Sequence, residues 1–384
     1  MKLIFLSNFY NHHQASLCTA LASQDGVDFR FIACEKISEE RRKMWGELQN
    51  LPEFVFTPKS EDDWAAVSSD ILSADALIVG SAPQFLLEAR LKADKLILRY
   101  QERPLKNGVE PLKLLPRMLK WRRMNPPSKP VYLLCASAYT AGDYAKMGLF
   151  RRKSYKWGYF PEAIIHDCKK LITQKEPRSI LWAGRFLDWK HPDDAVRVAA
   201  RLRDECHSFK LRIAGSGALE NQLRDMISEL KLEDYVELLG SLKPEQVRRE
   251  MERSSIFLFT SDRHEGWGAV LNEAMNSGCA VIASDAAGSS PYLVKDGVNG
   301  SIYHSGDLNE LFERVRQLLD DVTLQKALGG EAYQTITELW NAEAAAKRLL
   351  ELSYHLLRGD DASCLFTDGP CSPAKPLRED WYQK

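Results

Sequence analysis

The stretch 264–275, His-Glu-Gly-Trp-Gly-Ala-Val-Leu-Asn-Glu-Ala-Met, holds two carboxylates, Glu265 and Glu273, eight residues apart. Gly266 and Gly268 suit a tight loop. The apolar run Ala269, Val270, Leu271, Ala274, Met275 suits a helix over 269–277. Glu265 then stands just before the helix and Glu273 about one turn inside it. Backbone N–H groups of the first turn, Gly268 to Val270, lack intrahelical acceptors, which makes a helix start an anion site. Acceptors for hydroxyls flanking donors for phosphate point to a sugar nucleotide. The structural alternative is a solvated helix face with a cap.

The rest of the chain sets limits on that reading. Its 384 residues exceed one ordinary core, so two domains are expected. Composition is that of a globular protein, 45% hydrophobic and 27% charged, with net charge −1. Residues 1–160 carry 24 Lys and Arg against 17 Asp and Glu, the remainder 28 against 36. One basic half and one acidic half imply that a single half faces an anionic partner. Eight scattered cysteines form neither a Cys-x-x-Cys nor a Cys/His cluster, so a reducing cytoplasm is expected, without disulfides or zinc. The opening Met-Lys-Leu-Ile-Phe-Leu-Ser lacks a long apolar core and a small-residue cleavage site, and no run reaches membrane-spanning length.

Short apolar runs alternate with helical stretches throughout. Candidate strands fall at 2–7, 28–34, 76–80, 95–99 and 131–136, then at 179–183, 209–214, 235–239, 256–260 and 280–284. Between them lie helical stretches such as 13–23, 38–49, 61–73 and 192–205, with 341–357 near the end. This pattern predicts parallel strands buried on both faces and joined by crossover helices, an α/β architecture of doubly wound sheets. A break over 155–178 divides a domain 1–165 from a domain 166–340. The helix 341–358 closes the fold, and the polar, proline-containing tail 359–384 is expected to be loosely attached.

Several motifs in the second half occur in a telling order. They are Trp-Ala-Gly-Arg-Phe-Leu-Asp-Trp-Lys (182–190), Ile-Ala-Gly-Ser-Gly-Ala-Leu-Glu (213–220) and Val-Glu-Leu-Leu-Gly-Ser-Leu (236–242). The glutamate pair follows, then Gly-Cys-Ala-Val-Ile-Ala-Ser-Asp (278–285) and Val-Lys-Asp-Gly-Val-Asn-Gly (294–300). Over 179–345 this series resembles the retaining glycosyltransferases of family four. The resemblance implies the GT-B fold: two facing Rossmann-like doubly wound parallel-sheet domains, a cleft between them and a C-terminal helix crossing back.

It also implies roles. Arg185 and Lys190 would neutralise a diphosphate, the one as a planar fork and the other as a point charge; otherwise they are surface cations. Gly215 and Gly217 would form the glycine turn, serving the donor or geometry alone. Ser241 and Leu242 would lie near the base. Gly266, Trp267, Gly268, Ala269 and Val270 would line the donor loop and helix start, with Trp267 shaping the loop by packing. Glu273 would bind the ribose hydroxyls and Glu265 the transferred sugar. His264 either lines the loop or approaches the ligand.

The first half departs from the family pattern. Asn8 to Gln14 follows the first strand where a glycine-rich loop is usual, and Tyr100-Gln101-Glu102-Arg103 stands where many relatives place a His. Asn11, His12, His13, Glu102 and Arg103 are the acceptor-side candidates, with His13 also a catalytic candidate beside Glu265. Residues 112–123 combine cations with Leu, Met and Trp, and Arg103 to Lys129 holds eight cations and one acid. Such a segment suits an anionic membrane surface, or a solvated basic helix packed on its own domain. No nucleic-acid docking motif accompanies the charge.

The expectation is a cytoplasmic, membrane-associating, retaining glycosyltransferase needing neither metal nor cofactor. It would move a sugar from a nucleotide-sugar donor, with UDP favoured over GDP, to a glycan or polyprenyl-linked acceptor in bacterial surface polysaccharide synthesis. The alternatives are a GT-B epimerase or phosphorylase, or a nucleotide-binding partner without turnover.

Overall fold

The computed structural model describes residues 1–35, 51–108 and 111–382; the expected helix 38–49 lies outside the described residues. Two compact units form, Met1–Pro161 with Asn341–Arg378, and Glu162–Trp340 with Glu379–Lys384.

The first unit is built on seven strands, β1 (Lys2–Ser7), β2 (Asp28–Ala33), β3 (Val55–Phe56), β4 (Ala76–Val79), β5 (Ile97–Gln101), β6 (Val131–Cys135) and β7 (Ser154–Lys156). Their order is β3-β2-β1-β4-β5-β6-β7, and every pairing between them is parallel. Leu3, Ile4, Phe5 and Leu6 of β1 are fully buried because helices cover both faces of the sheet. The strand order reverses between β1 and β4. The loops after these two strands therefore diverge and leave a crevice at the carboxyl edge, where open α/β sheets bind ligands.

The second unit has β8 (Glu176–Ala183), β9 (Lys210–Ala214), β10 (Val236–Gly240), β11 (Ser254–Phe259), β12 (Ala280–Ser284) and β13 (Ser301–Tyr303). Their order is β10-β9-β8-β11-β12-β13, again with parallel pairings throughout. Here the reversal falls between β8 and β11. One core cluster joins Ile180, Ile213 and Ile282 to Val196, Ala199, Leu311 and Val315 of the covering helices.

The strands β3, β7 and β13 are two or three residues long, too short to show a period in sequence. Helix Ala342–Arg358 belongs with the first unit, burying Ala345, Leu349 and Leu352 there. The expected loose tail is corrected. Residues 371–374 run antiparallel along β7, with Cys371 N donating to Lys156 O (2.8 Å), Lys156 N to Ser372 O (2.7 Å) and Ala374 N to Ser154 O (2.9 Å). The physical reason is the open backbone of an edge strand, which a proline-containing segment can still pair. In the second unit, Tyr382 donates to Ile302 O (2.9 Å) and accepts from Arg314 Nη2 (2.7 Å).

Candidate functional site

The two loops flanking the reversal in the second sheet are stitched together by polar contacts. After β8 the chain passes through a short 3-10 turn, Asp188–Lys190, into helix Pro192–Asp204; after β11 it runs through Thr260 to Gly268 into helix Ala269–Asn276. Trp182 Nε1 donates to Thr260 Oγ1 (2.8 Å), which in turn donates to Lys190 O (2.6 Å), and Asp262 N donates to Trp189 O (2.8 Å). Lys190 Nζ is thereby carried to 2.5 Å from Glu265 Oε2, with Ser261 Oγ 3.3 Å from the same oxygen. Both side chains are largely shielded, 14% and 15% exposed. In that setting each charge depends on the other or on an incoming ligand.

Helix Ala269–Asn276 starts sharply. Gly268 sits at φ +86°, and a Cβ there would lie 2.3 Å from Phe259 Cζ, so only glycine allows this approach. Among the described residues, the amides of Ala269 and Val270 have no acceptor. One turn on, Glu273 is half-buried and its carboxylate has no hydrogen-bond partner among the described residues. Burial raises its pKa above the usual carboxylate range, and the Arg248 cation opposes the shift. Arg248 is fixed by donating to Glu273 O (3.0 Å), Asn276 Oδ1 (3.0 Å) and Glu162 O (3.0 Å).

The glycine turn after β9 supports the loop after β8 from behind. At Gly215 (φ +149°) a Cβ would stand 1.9 Å from Gly184 O, and at Gly217 (φ +153°) 2.6 Å from Phe186 O. The close approach is held by Gly184 N to Ala214 O (3.0 Å), Phe186 N to Ser216 O (2.9 Å) and Gly215 N to Gly240 O (2.8 Å). Both glycines thus set the position of the segment bearing Arg185 and Lys190. Arg185 is exposed and has no ion-pair partner among the described residues. Exposed Ser241 and half-buried Leu242 follow β10, two strands away from the β8–β11 reversal.

Trp267 is 1% exposed, donates from Nε1 to Asn272 Oδ1 (2.8 Å) and packs against Trp340 and Tyr292, the packing role in the loop that its sequence position suggests. Asp262 is the residue that sequence reasoning missed. Its Oδ1 accepts from His264 N (2.8 Å) and lies 2.9 Å from His264 Nδ1, while Oδ2 is 3.4 Å from His191 Nε2. An Asp two residues before an acceptor-seeking amide is an Asx-turn signal, and that signal was present in Ser-Asp-Arg-His-Glu.

In the first unit, a cavity of 640 Å³ lies at the β1/β4 reversal, reached by Asn8, Asn11, His13, Gln14, Glu102 and Tyr159. Asn11 caps helix His12–Ala22, its side chain accepting from His13 N (3.0 Å). The pKa of His13 is lowered to about 4, first by burial and then by His12, so its ring is neutral near pH 7. That ring stacks on Tyr159 at 5.5 Å, and Tyr159 OH donates to Glu102 Oε1. Exposed His12 lies outside the cavity lining. Arg103 reaches the cavity but is 4% exposed, with Nε and Nη2 each 3.3 Å from Asp143 oxygens, so its charge is already balanced. Arg117, Lys120 and Trp121 of helix Pro111–Met124, expected only as part of the basic segment 112–123, also line this cavity. No helix among the described residues is long and apolar enough to cross a membrane, and no three His, Cys, Asp or Glu side chains among them gather as metal ligands.

Comparison with known proteins adds to this geometry. Residues 166–335 match the family described as glycosyl transferases group 1. The chain is 29% identical over 185 residues to an exopolysaccharide phosphotransferase of Streptomyces coelicolor, covering 48% of this chain and 19% of that protein. It is 32% identical over 153 residues to the N-acetylgalactosamine-N,N'-diacetylbacillosaminyl-diphospho-undecaprenol 4-alpha-N-acetylgalactosaminyltransferase of Campylobacter jejuni, covering 40% of each. The chain spans about half or less of the length of these curated relatives. Anabaena HepE in complex with UDP superposes with a TM-score of 0.66 over 91% of this chain and 99% of that one, a likeness of fold at 17% identity.

Proposed function

We propose, from the match of residues 166–335 to the group 1 glycosyl transferases, that this protein transfers a sugar from a nucleotide-sugar donor to an acceptor hydroxyl with retention of configuration. Its two parallel-sheet α/β units are of the GT-B type. The observation that carries the reading is the Lys190–Glu265 pair at the β8–β11 reversal, beside a helix start with unpaired amides and an unpartnered Glu273.

The donor diphosphate would take the Ala269 and Val270 amides, with Lys190 and Arg185 offsetting the charge that grows as the glycosidic bond breaks. These groups supply the stabilisation that a metal ion would otherwise give, so no metal or other cofactor is part of the proposal. Glu273 would accept hydrogen bonds from the ribose hydroxyls, which replace the water it has lost. Glu265 would hold the transferred sugar. The acceptor hydroxyl would attack on the face that the diphosphate leaves, a phosphate oxygen taking its proton. Neutral His13 would accept a hydrogen bond from a sugar hydroxyl on the acceptor side. A UDP-sugar is the favoured donor, supported by the UDP bound in HepE, and a GDP-sugar is the alternative. A glycan or lipid-linked acceptor in surface polysaccharide synthesis, met at the inner face of a cell membrane, agrees with the C. jejuni relative's diphospho-undecaprenol acceptor.

A thermal-shift screen of UDP-, GDP- and ADP-sugars, followed by calorimetry of the matching nucleoside diphosphate, tests the donor half. Stabilisation by one nucleotide and at least about tenfold weaker binding by Lys190→Ala are expected; unchanged affinity in Lys190→Ala and Arg185→Ala would remove the phosphate assignment. Donor consumption with acceptor, without it and with free phosphate separates transfer from epimerase or phosphorylase chemistry.

A further inference from the structure

We propose that Asp262 is a positioning residue of the donor site, clasping the loops after β8 and β11 so that Lys190 and Glu265 stand at a fixed spacing. The proposal rests on the reading of those two residues as donor ligands.

Asp262 holds the chain on both sides of Lys190 and again at Glu265. Its N donates to Trp189 O (2.8 Å), and its carbonyl accepts from Glu265 N (3.1 Å). In the side chain, Oδ1 accepts from His264 N (2.8 Å) and lies 2.9 Å from His264 Nδ1, while Oδ2 stands 3.4 Å from His191 Nε2. Trp189 and His191 bracket Lys190 in the chain. His191 sits at φ +47°, between the 3-10 turn and helix Pro192–Asp204, a backbone that a non-glycine residue keeps only where its surroundings fix it. Thr260 Oγ1 also reaches this segment, at Lys190 O (2.6 Å) and His191 O (3.0 Å), but among the described residues that hydroxyl does not reach the Glu265 turn.

Both carboxylate oxygens are turned onto this scaffold, and the side chain is only 23% exposed. Asp262 therefore acts through Lys190 and Glu265 rather than on the ligand. Lys190 Nζ and Glu265 Oε2 meet at 2.5 Å, and a diphosphate that takes Lys190 draws it off Glu265. None of the Asp262 contacts uses either of those side chains, so the two loops keep their spacing through the exchange. Groups held in place before a ligand arrives lower the ordering cost of binding it. Asp262 also puts a negative charge beside an anion site, which by itself weakens diphosphate binding. Its positioning and electrostatic effects thus have opposite signs, and a substitution separates them.

The test measures UDP affinity calorimetrically for the full chain as wild type, Asp262→Ala, Lys190→Ala and the double variant. UDP carries no transferred sugar, so it reads the Lys190 side of the clasp. Asp262→Ala is expected to weaken UDP by about tenfold, and the double variant to bind within about twofold of Lys190→Ala, because residues that act through one another are not additive. Asp262→Asn keeps a side-chain acceptor for His264 N and should lose only about threefold. It takes the place of the Ala variant in the cycle if that variant does not fold. UDP bound as tightly as by the wild type, or more tightly, in the variant carried through the cycle overturns the proposal, since charge removal alone gives that result. Equal losses with and without Lys190 also overturn it and leave Asp262 a general stabiliser of the unit. Unchanged UDP affinity in Lys190→Ala by itself falls on the donor assignment and takes this proposal with it.

Discussion

Replacing Gly215 by Ala should cripple the second unit in a calculable way. The new Cβ would sit 1.9 Å from Gly184 O, whereas carbon and oxygen rest no closer than about 3.3 Å, so one backbone must retreat by about 1.4 Å. The residue would also hold φ +149°, a glycine region whose strain for other residues is about 1–3 kcal/mol. The retreat pulls on the bonds Gly184 N to Ala214 O, Phe186 N to Ser216 O and Gly215 N to Gly240 O, each contributing about 1 kcal/mol. Strain and partial loss of these bonds together cost about 3–5 kcal/mol. For a unit of this size that lowers Tm by about 10 °C. Because Arg185 and Lys190 ride on the displaced segment, UDP affinity should fall by at least about tenfold as well. Differential scanning calorimetry with and without UDP reads both effects. Gly297→Ala is the control: its φ is +72° but nothing lies within 4 Å of the added carbon, so only left-handed strain of about 1–2 kcal/mol remains. If Gly215→Ala unfolds no earlier than Gly297→Ala and binds UDP as the wild type does, the glycine turn is not what positions the cationic loop.

Glu273→Gln should raise stability at pH 7 while weakening ribonucleotide binding by about tenfold. The sign follows from the raised pKa: the native state holds the proton longer than the unfolded chain, so the carboxylate costs stability as pH climbs from its ordinary value through the native one. A variant that binds ribo- and deoxyribonucleotides as the wild type does would refute the ribose role. His13 has the opposite linkage, since a native pKa of about 4 means stability is lost as pH falls from 6.5 toward 4. His13→Gln should flatten that part of the pH–stability curve, and an NMR titration midpoint near 6.5 would count against the buried, neutral ring. Arg248→Ala should cost about 2 kcal/mol by freeing the carbonyls of Glu273 and Glu162; denaturant unfolding measures it, and a loss under a few tenths would show that the staple is idle.

The doubly wound sheets were legible because strands such as 2–7 and 179–183 carry short unbroken apolar runs, Leu3 to Leu6 and Ile180 to Ala183, between helical stretches. Motif order places Lys190 and Glu265 in one expected donor pocket, but not their direct ion pair, which depends on both loops leaving the sheet at the β8–β11 reversal. What escaped depends on partners distant in sequence or on geometry below the resolution of pattern. The charge of Arg103 is absorbed by Asp143, forty positions away. Asp262 works through an Asx turn that no periodicity marks. For the basic run at 112–123, composition suits a membrane surface and a helix packed on its own domain alike, and does not say which helix face meets a cavity. Tail residues such as Cys371 and Ser372 are polar or small and read as disorder, yet both are fully buried once an edge strand receives them.

That last pairing bears on how the protein can be handled. Cutting after helix Ala342–Arg358 would look harmless from composition, yet it would bare the outer rim of β7 and its row of unsatisfied amides and carbonyls. Such a rim is a template for a neighbouring molecule. The shortened protein should therefore stick to itself, and the final residues serve as a built-in guard against that fate.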